Sequence, residues 1–538
     1  MHTAIETQPF NPEEIMPNPS SPFHPIIYVR GYAMTEREQD ETTADPFNGF
    51  NLGSTVYRAT PDKEKPAKKF IFESPLLRLI SDYKYMDVYK NGLDIMDIDD
   101  WEGTIPSRSI VIYRYYDTAS DLLGAGKTPE ITEFAKGLSR LILRVRDLVC
   151  AHPDSGITVE DFRCYLVAHS MGGLVCRAFL QNPELGDDQA RRCVDKVFTY
   201  ATPHNGIDMA GINPPKWLSV ADMNNFSRKN MAEYLKLEAL YEKTGRVDWL
   251  PEEAFPSDRF FCMVGTNRAD YEVAMGLSRT FAGHGSDGLV RIDNAAVWGI
   301  NAKGDVSTPC ATAFAYRSHS GYFGIVNSEE AYQNLTRFFF GDIRVDIWID
   351  VTSVQLPPEI QGKPVNALYQ FELKASPRGT RWYLTRRQAE EDSVACRSYQ
   401  ELTDPANNNA RSIFLSTVFL ANKARVDAGN DPSLTYGLTL GVRAPDYEVE
   451  RKFWPDAHYE GGYLFQDSMI VKMTQPSQDG GDWTVAFDWQ SNNLGGASQS
   501  LTYKTLKSGR LQMVVPFGGG NAPGIAGQLR FLVAAWNE

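Results

Sequence analysis

The chain has no apolar run of the roughly 18 residues that a membrane-spanning helix needs, and its first residues, MHTAIETQPFNPEEIMPNPSSPFHP, have neither a basic start nor an apolar stretch. A cleavable signal and a helical membrane span are therefore not expected. The default compartment is the cytoplasm, with export by a route that reads no cleavable signal left open. Positive charge is scarce, with 54 Lys and Arg against 68 Asp and Glu and a net charge of -14. That balance argues against a nucleic-acid partner, which needs clustered cations. Peripheral membrane contact stays open, because local patches matter more than the total. The seven cysteines are odd in number and include no C-x-x-C pair, so zinc clusters and dithiol redox motifs are not expected. Several lie in apolar runs, as in Arg163-Cys164-Tyr165-Leu166-Val167, which reads as buried free thiols in a reducing compartment. Gly124-Ala125-Gly126-Lys127-Thr128 lacks the first glycine and the preceding strand of a phosphate loop. No metal site and no cofactor are expected, and no fixed-period repeat is present.

What is there is a globular chain of 538 residues, 42% hydrophobic and 23% charged, too long for one core. Residues 1–24 read as a polar arm. Residues 25–341 alternate short apolar β-branched runs with helical patterns, the sign of a mostly parallel sheet covered on both faces. The runs are 25–29, 109–113, 165–168, 196–200 and 260–264. Helices are expected at 130–149, after Ser170, and from Asn327-Ser328 to Phe340. Ser74-Pro75 is a good helix start, with Leu76, Leu77, Leu79, Ile80, Tyr83 and Met86 on its apolar face. Residues 35–105 and 207–256 read as insertions. The second carries Pro214–Leu218 and an apolar helix with Met231, Tyr234, Leu235 and Leu240, either a cap facing an acyl chain or packing of its own. From about 342 the pattern becomes all-β, with strict alternation at Val345–Val351, and a β sandwich is the expected form of 342–538.

The segment Tyr165-Leu166-Val167-Ala168-His169-Ser170-Met171-Gly172-Gly173 runs from a buried strand into a serine and then into a helix. Small residues at Ala168 and Gly172 permit the sharp turn that presents a nucleophile at the sheet edge. This A-H-S-M-G-G segment resembles the α/β-hydrolase superfamily, and within it the bacterial lipases and the deacylase group. The resemblance spans roughly residues 25–341. It implies an α/β-hydrolase fold with cap insertions, the all-β region following as a second domain.

The resemblance further implies a triad in the order nucleophile, acid, histidine. His319, in Arg317-Ser318-His319-Ser320-Gly321, stands where the family carries its base, on a loop after the last strand. Ser286-Asp287-Gly288-Leu289-Val290 resembles the D-G-L-V segment that carries the acid, with Asp270 as the alternative. The oxyanion hole is expected from the backbone N–H groups of Met171 and Tyr32. Arg30-Gly31 replaces the usual His-Gly there, which puts the fine geometry of the hole in question. Gly31, His169 and His204 are expected to line the substrate site; His204 lies in Thr202-Pro203-His204-Asn205-Gly206, similar to the T-P-H-x-G segment of lipases. The implied activity is a serine esterase acting on carboxylic esters of lipids (a lipase, phospholipase or carboxylesterase). A thioester or acyl-inositol deacylase and an inactive hydrolase-fold binding protein are the alternatives. The substrate is then a lipid or other acyl ester. The β-rich region is expected to aid action on lipid dispersions and to be dispensable for water-soluble esters. Nothing in the sequence gives the oligomeric state.

Overall fold

The computed structural model describes residues 23–31, 56–58, 68–70, 75–88, 95–96, 101, 103–113, 115, 130–207, 226–268, 285–319, 324–425, 433–449, 457–474, 484–492 and 499–537. Seven strands form a parallel central sheet: β1 (Ile26–Val29), β2 (Met86–Asp87), β3 (Ser109–Tyr113), β4 (Cys164–His169), β5 (Val194–Tyr200), β6 (Phe260–Gly265) and β7 (Ala311–Ala315). Their order is β7-β6-β5-β4-β1-β3-β2. Four helices flank it: α1 (Pro75–Tyr83), α2 (Ile131–Cys150), α3 (Met171–Gln181) and α4 (Glu329–Phe340).

The strands are apolar on both faces because both faces are covered. In β1, Ile27 and Val29 join the core that α2 and α3 bury, while Ile26 and Tyr28 join the core that includes Leu76 and Leu79 of α1 and Leu335 and Phe338 of α4. The chain leaves β1 for one side of the sheet and returns on the other at β4, so the ends of these two neighbours form a switch point. In open parallel sheets that is where ligands bind. The arrangement fits the α/β-hydrolase reading of this region.

One expectation needs correction, and one is decided between its two readings. The first concerns α1, which stops at Tyr83. Lys84 adopts a positive φ of 60°, and Met86 opens strand β2 with 58% of its surface exposed. Leu77 also faces outward, at 48% exposure. Thus 35–105 is not wholly an insertion, since it supplies a helix and an edge strand of the central unit. The second concerns the described part of 207–256. Its helices, Arg228–Tyr234 and Glu238–Thr244, put Met231, Tyr234 and Leu235 into the α2–α3 core. Trp249–Pro251 then pairs with Trp298–Ile300 in a small separate sheet. These side chains are packing, because polar groups of α3 already engage this segment: Arg177 reaches the carbonyls of Val247 and Trp249, and Asn182 that of Tyr234. Pro214–Leu218 lies outside the described residues.

From Ile343 the chain builds two antiparallel sheets that fill one core between them. The first contains Ser412–Leu420, Ile343–Gln355, Gly524–Ala535, Leu511–Gly518 and Tyr503–Thr505. The second centres on the long strands Val365–Pro377, Leu434–Val449 and Ala457–Thr474. In Ile343–Gln355 the odd positions 345 to 351 face that core, as their period implies. The other face is not solvated at its start, however. Arg344 and Asp346 are an ion pair buried at 3.0 Å, and Arg344 donates to the carbonyl of Asp258 in the α/β unit.

That contact belongs to a shared interface. Phe419, fully buried, packs its ring against Phe261 of β6 and Phe338 of α4, and Trp536 closes over Phe338 and Phe419. Strand β7 is the last in its sheet, and an open edge is an aggregation liability. Here side chains of the β unit cover it: Phe314 N–H donates to Thr385 Oγ1, and Ser416 Oγ donates to the carbonyl of Thr312. The all-β region is therefore bonded into the α/β unit and is not a detachable appendage. Among the described residues no helix is long and apolar enough to cross a membrane. All seven cysteines are unpaired.

Candidate active site

The end of β4 sets the geometry. Its register with β1 and β5 runs on to His169 opposite Tyr200, and Ser170 N–H still donates to the Tyr200 carbonyl at 2.9 Å. The next residue already begins α3, so Ser170 must absorb the whole change of direction. It does so at φ 51°, ψ −125°, a region sparsely populated by residues with a Cβ. Such strain persists only where the surroundings over-determine it. The glycines show how tightly they do. A Cβ on Gly172 would stand 2.1 Å from the carbonyl oxygen of Val29, and one on Gly31 would stand 2.8 Å from the Cβ of Ser170. The turn therefore fits only because β1 and α3 approach each other without side chains. We expect Gly172→Ala to displace β1 or the turn, with loss of soluble folded protein or of thermal stability measured by calorimetry. An unchanged melting temperature would show that the two backbones have room to part.

Three polar side chains meet at this corner. Ser170 Oγ lies 3.0 Å from His319 Nε2, and His319 Nδ1 lies 3.0 Å from Asp287 Oδ2. All three are buried, with exposures of 6%, 2% and 1%. Asp287 is held by its own turn: its Oδ1 accepts the N–H groups of Leu289 at 3.0 Å and Val290 at 2.8 Å. Its carbonyl accepts the N–H of His319 at 3.0 Å, which ties the two loops together. Gly265, at the end of β6, makes room for this turn, since a Cβ there would lie 2.9 Å from that of Asp287.

An alcohol, an imidazole and a carboxylate in this sequence can pass a proton from oxygen to nitrogen while the carboxylate fixes the tautomer and stabilises the imidazolium. Asp287→Asn would keep the shape and lose that orientation. Any ester turnover should fall by about 10³–10⁴-fold in the variant. A loss below tenfold in kcat would remove Asp287 from the reaction.

The other expected site residues divide. Met171 opens α3, where backbone N–H groups have no partner within the helix. Gly31 lies against the serine turn. Tyr32 and Asp270 lie outside the described residues. His169 is half-buried, and its Nε2 bonds the carbonyl of His319 at 2.9 Å, with the two rings 5.0 Å apart. It thus positions the histidine loop. Burial, the His319 ring and the Arg30 charge lower its imidazole to about 3, so it stays neutral and donates. His204 corrects an expectation. It is fully buried, bonded through Nε2 to Thr199 Oγ1 at 3.1 Å and packed edge-on to Phe260, and so offers no surface to a substrate. Its loop is tied to α3 by Arg177, whose guanidinium donates to the His204 carbonyl at 2.9 Å.

Burial also holds the His204 imidazole well below its ordinary value. Both histidines are thus neutral when folded and regain a value near 6.5 when unfolded. The unfolded chain then binds extra protons below that pH. Stability present above about pH 6.5 should be lost as the pH falls, at up to about 1.4 kcal/mol per pH unit for each imidazole. For His169 the loss continues towards its folded value of about 3. Melting curves between pH 7.5 and 4.5 should move steadily to lower temperature; a constant midpoint from pH 7 to 5 would contradict buried neutral imidazoles.

Neither the Gly265 contact nor the His169 bond was anticipated from sequence. Both involve a residue at the end of a strand, and the pairing partners that give such positions meaning lie far away in the chain. No protein-family model matches the chain, and no curated protein matches it in sequence. Among solved structures it is similar to the crystal structure of the Bacillus licheniformis lipase BlEst2 in mature form, at 14% identity over 61% of this chain and 95% of that one, with a TM-score of 0.31. A likeness at that level carries no weight for fold or function.

Proposed function

We propose that the chain is a serine hydrolase that cleaves carboxylic esters through an acyl-enzyme on Ser170. The observation that carries the reading is the strained Ser170 with its Oγ 3.0 Å from the imidazole of His319, itself 3.0 Å from Asp287. His319 Nε2 takes the Ser170 proton as Oγ attacks the ester carbonyl. The oxyanion is held by the N–H of Met171, with the N-terminal end of α3 adding a favourable field, and Tyr32 is the proposed source of the second N–H. The alkoxide leaves with the proton that His319 returns. Water, deprotonated by the same imidazole, then frees the acid. Asp287 holds Nδ1–H throughout. No cofactor enters these steps.

Lipid esters are the proposed substrates. Support for them comes from the A-H-S-M-G-G and D-G-L-V segments, which resemble those of bacterial lipases. A thioester or another activated acyl bond is the second reading, since the same three groups would serve it. A fluorophosphonate probe should label Ser170 in the wild type, and no labelling would favour a binding protein that keeps the hydrolase fold. A p-nitrophenyl ester series from acetate to palmitate should show rates rising with acyl length. Faster cleavage of the matching thioesters would overturn the ester assignment.

A further inference from the structure

Between the two units lies a half-open cavity of about 670 Å³ that is separate from the Ser170 corner. One wall is formed by residues 291–298 and the end of β7, the other by the strands Thr385–Arg387 and Ala395–Ser398 of the β unit. Its size is that of an ordinary small-molecule site. Its charge is less ordinary. Arg387 is 8% exposed, donates through Nε to the Ser393 carbonyl at 2.7 Å and through Nη1 to the Leu415 carbonyl at 3.0 Å, and sits 4.1 Å from the centre of the Phe314 ring. Arg397, on a second strand paired with Val365–Pro377, donates through Nε to the Ala410 carbonyl and through Nη1 to the carbonyl of its own neighbour Cys396. Neither guanidinium is hydrogen-bonded to a carboxylate. Asp293, also on the wall, acts on Arg387 only through its field. A buried cation without a bonded counter-charge is destabilising unless something compensates it.

Gln370 also lines the cavity, with its Oε1 turned into the protein and without a hydrogen-bond partner among the described residues. The rest of the lining is mixed: Arg246, Arg291, Asp392 and Thr312 stand among apolar groups that include Phe314 and the edge-to-face pair Trp298 and Phe414 at 6.1 Å.

We propose that this seam is a second ligand site, which takes a small amphipathic carboxylate with its head between Arg387 and Arg397 and its apolar body against Trp298, Phe314 and Phe414. The placement of the donors points to the head group. With Nε and Nη1 of both arginines bonded to carbonyls, each keeps an Nη2 without a protein partner among the described residues, one from each of two strands. That matches the two oxygens of a carboxylate. The site is independent of the reaction proposed at Ser170.

The test uses the full chain and decanoate as the probe, followed by isothermal titration. Decanoate should bind at one site per chain, in protein whose Ser170 corner has been blocked by fluorophosphonate as well as in untreated protein. Decyltrimethylammonium should not bind. Arg397→Gln should weaken decanoate by about tenfold or more, the worth of a charged hydrogen bond, with an unchanged melting curve. Arg387→Met should do the same; if it unfolds the seam, the Arg397 variant alone decides. Tighter binding of decyl phosphate than of decanoate would overturn the carboxylate assignment. So would decanoate binding that disappears once Ser170 is blocked, equal binding of the cation, or undiminished affinity in Arg397→Gln. Failure to label with fluorophosphonate would count against the hydrolase reading alone, and the arginine variants would still test the seam.

Discussion

Ester turnover should fall by about 10⁴- to 10⁶-fold when Ser170 is replaced by alanine, the scale of nucleophile loss in enzymes whose serine, histidine and acid work as a unit. That is roughly 5–8 kcal/mol of barrier, at about 1.4 kcal/mol per decade. KM should change little, because the hydroxyl acts on the reacting carbonyl and not on the rest of the ester. His319→Ala should cost a similar factor, and the double variant little more, since either change alone disables the same proton path. Folding should not confound the result. Alanine has the same Cβ as serine, so the strain at φ 51° is unaltered. Fluorophosphonate labelling should vanish with the hydroxyl. Near-native turnover in Ser170→Ala, with wild-type melting, would end the assignment, whatever the distances at the corner.

The second large effect concerns the β unit. Removing residues 342–538 should abolish soluble, active protein towards short and long esters alike. The cut would strip Phe419 and Trp536 from Phe261 and Phe338, and expose the bonding groups of Thr312 and Phe314 along β7. A finer probe is Phe419→Ala. At a fully buried aromatic site it should destabilise by about 3–5 kcal/mol. Because Phe419 belongs to the β unit but packs within the core of α4 and β6, both units should melt earlier together in calorimetry. A soluble 1–341 fragment that still cleaves acetate esters would overturn this and restore the picture of a dispensable tail.

How much was visible in the sequence follows from which interactions are local. The segment 165–175 carries its own geometry: an apolar strand, small residues at 168 and 172, and a serine between them. Its reading as a strand, a bend and a helix needed no distant partner. The helix 131–150 was equally legible, because its apolar stripe repeats at helical spacing. Met86 was misassigned because periodicity alone does not register a left-handed Lys84. His204 was expected at the site wall from a short motif, but the buried Arg177 that draws its loop inward lies 27 residues earlier. Alternation in 345–351 gave the inward face and said nothing of what covers the other. Whether an outer face meets water depends on which other unit covers it, and Arg344 meets Asp258. The joint between the units was illegible for the same reason: Thr385 and Ser416 look like ordinary polar strand residues until β7 is placed beside them.

The covered edge of β7 has a consequence for synthesis. The ribosome releases the whole α/β unit before it makes Thr385, Ser416 and Phe419 and, later still, Trp536. At about 5–20 residues per second, the interval between Gly341 and Trp536 lasts roughly 10–40 seconds. Through that window the nascent chain carries an open strand and a bare aromatic face, the features that chaperones bind and neighbouring polysomes can mispair. Slow decoding within 342–411 would lengthen the exposure, and limited proteolysis of ribosome-stalled chains ending at 341 and at 538 should find the first cut readily and the second resistant.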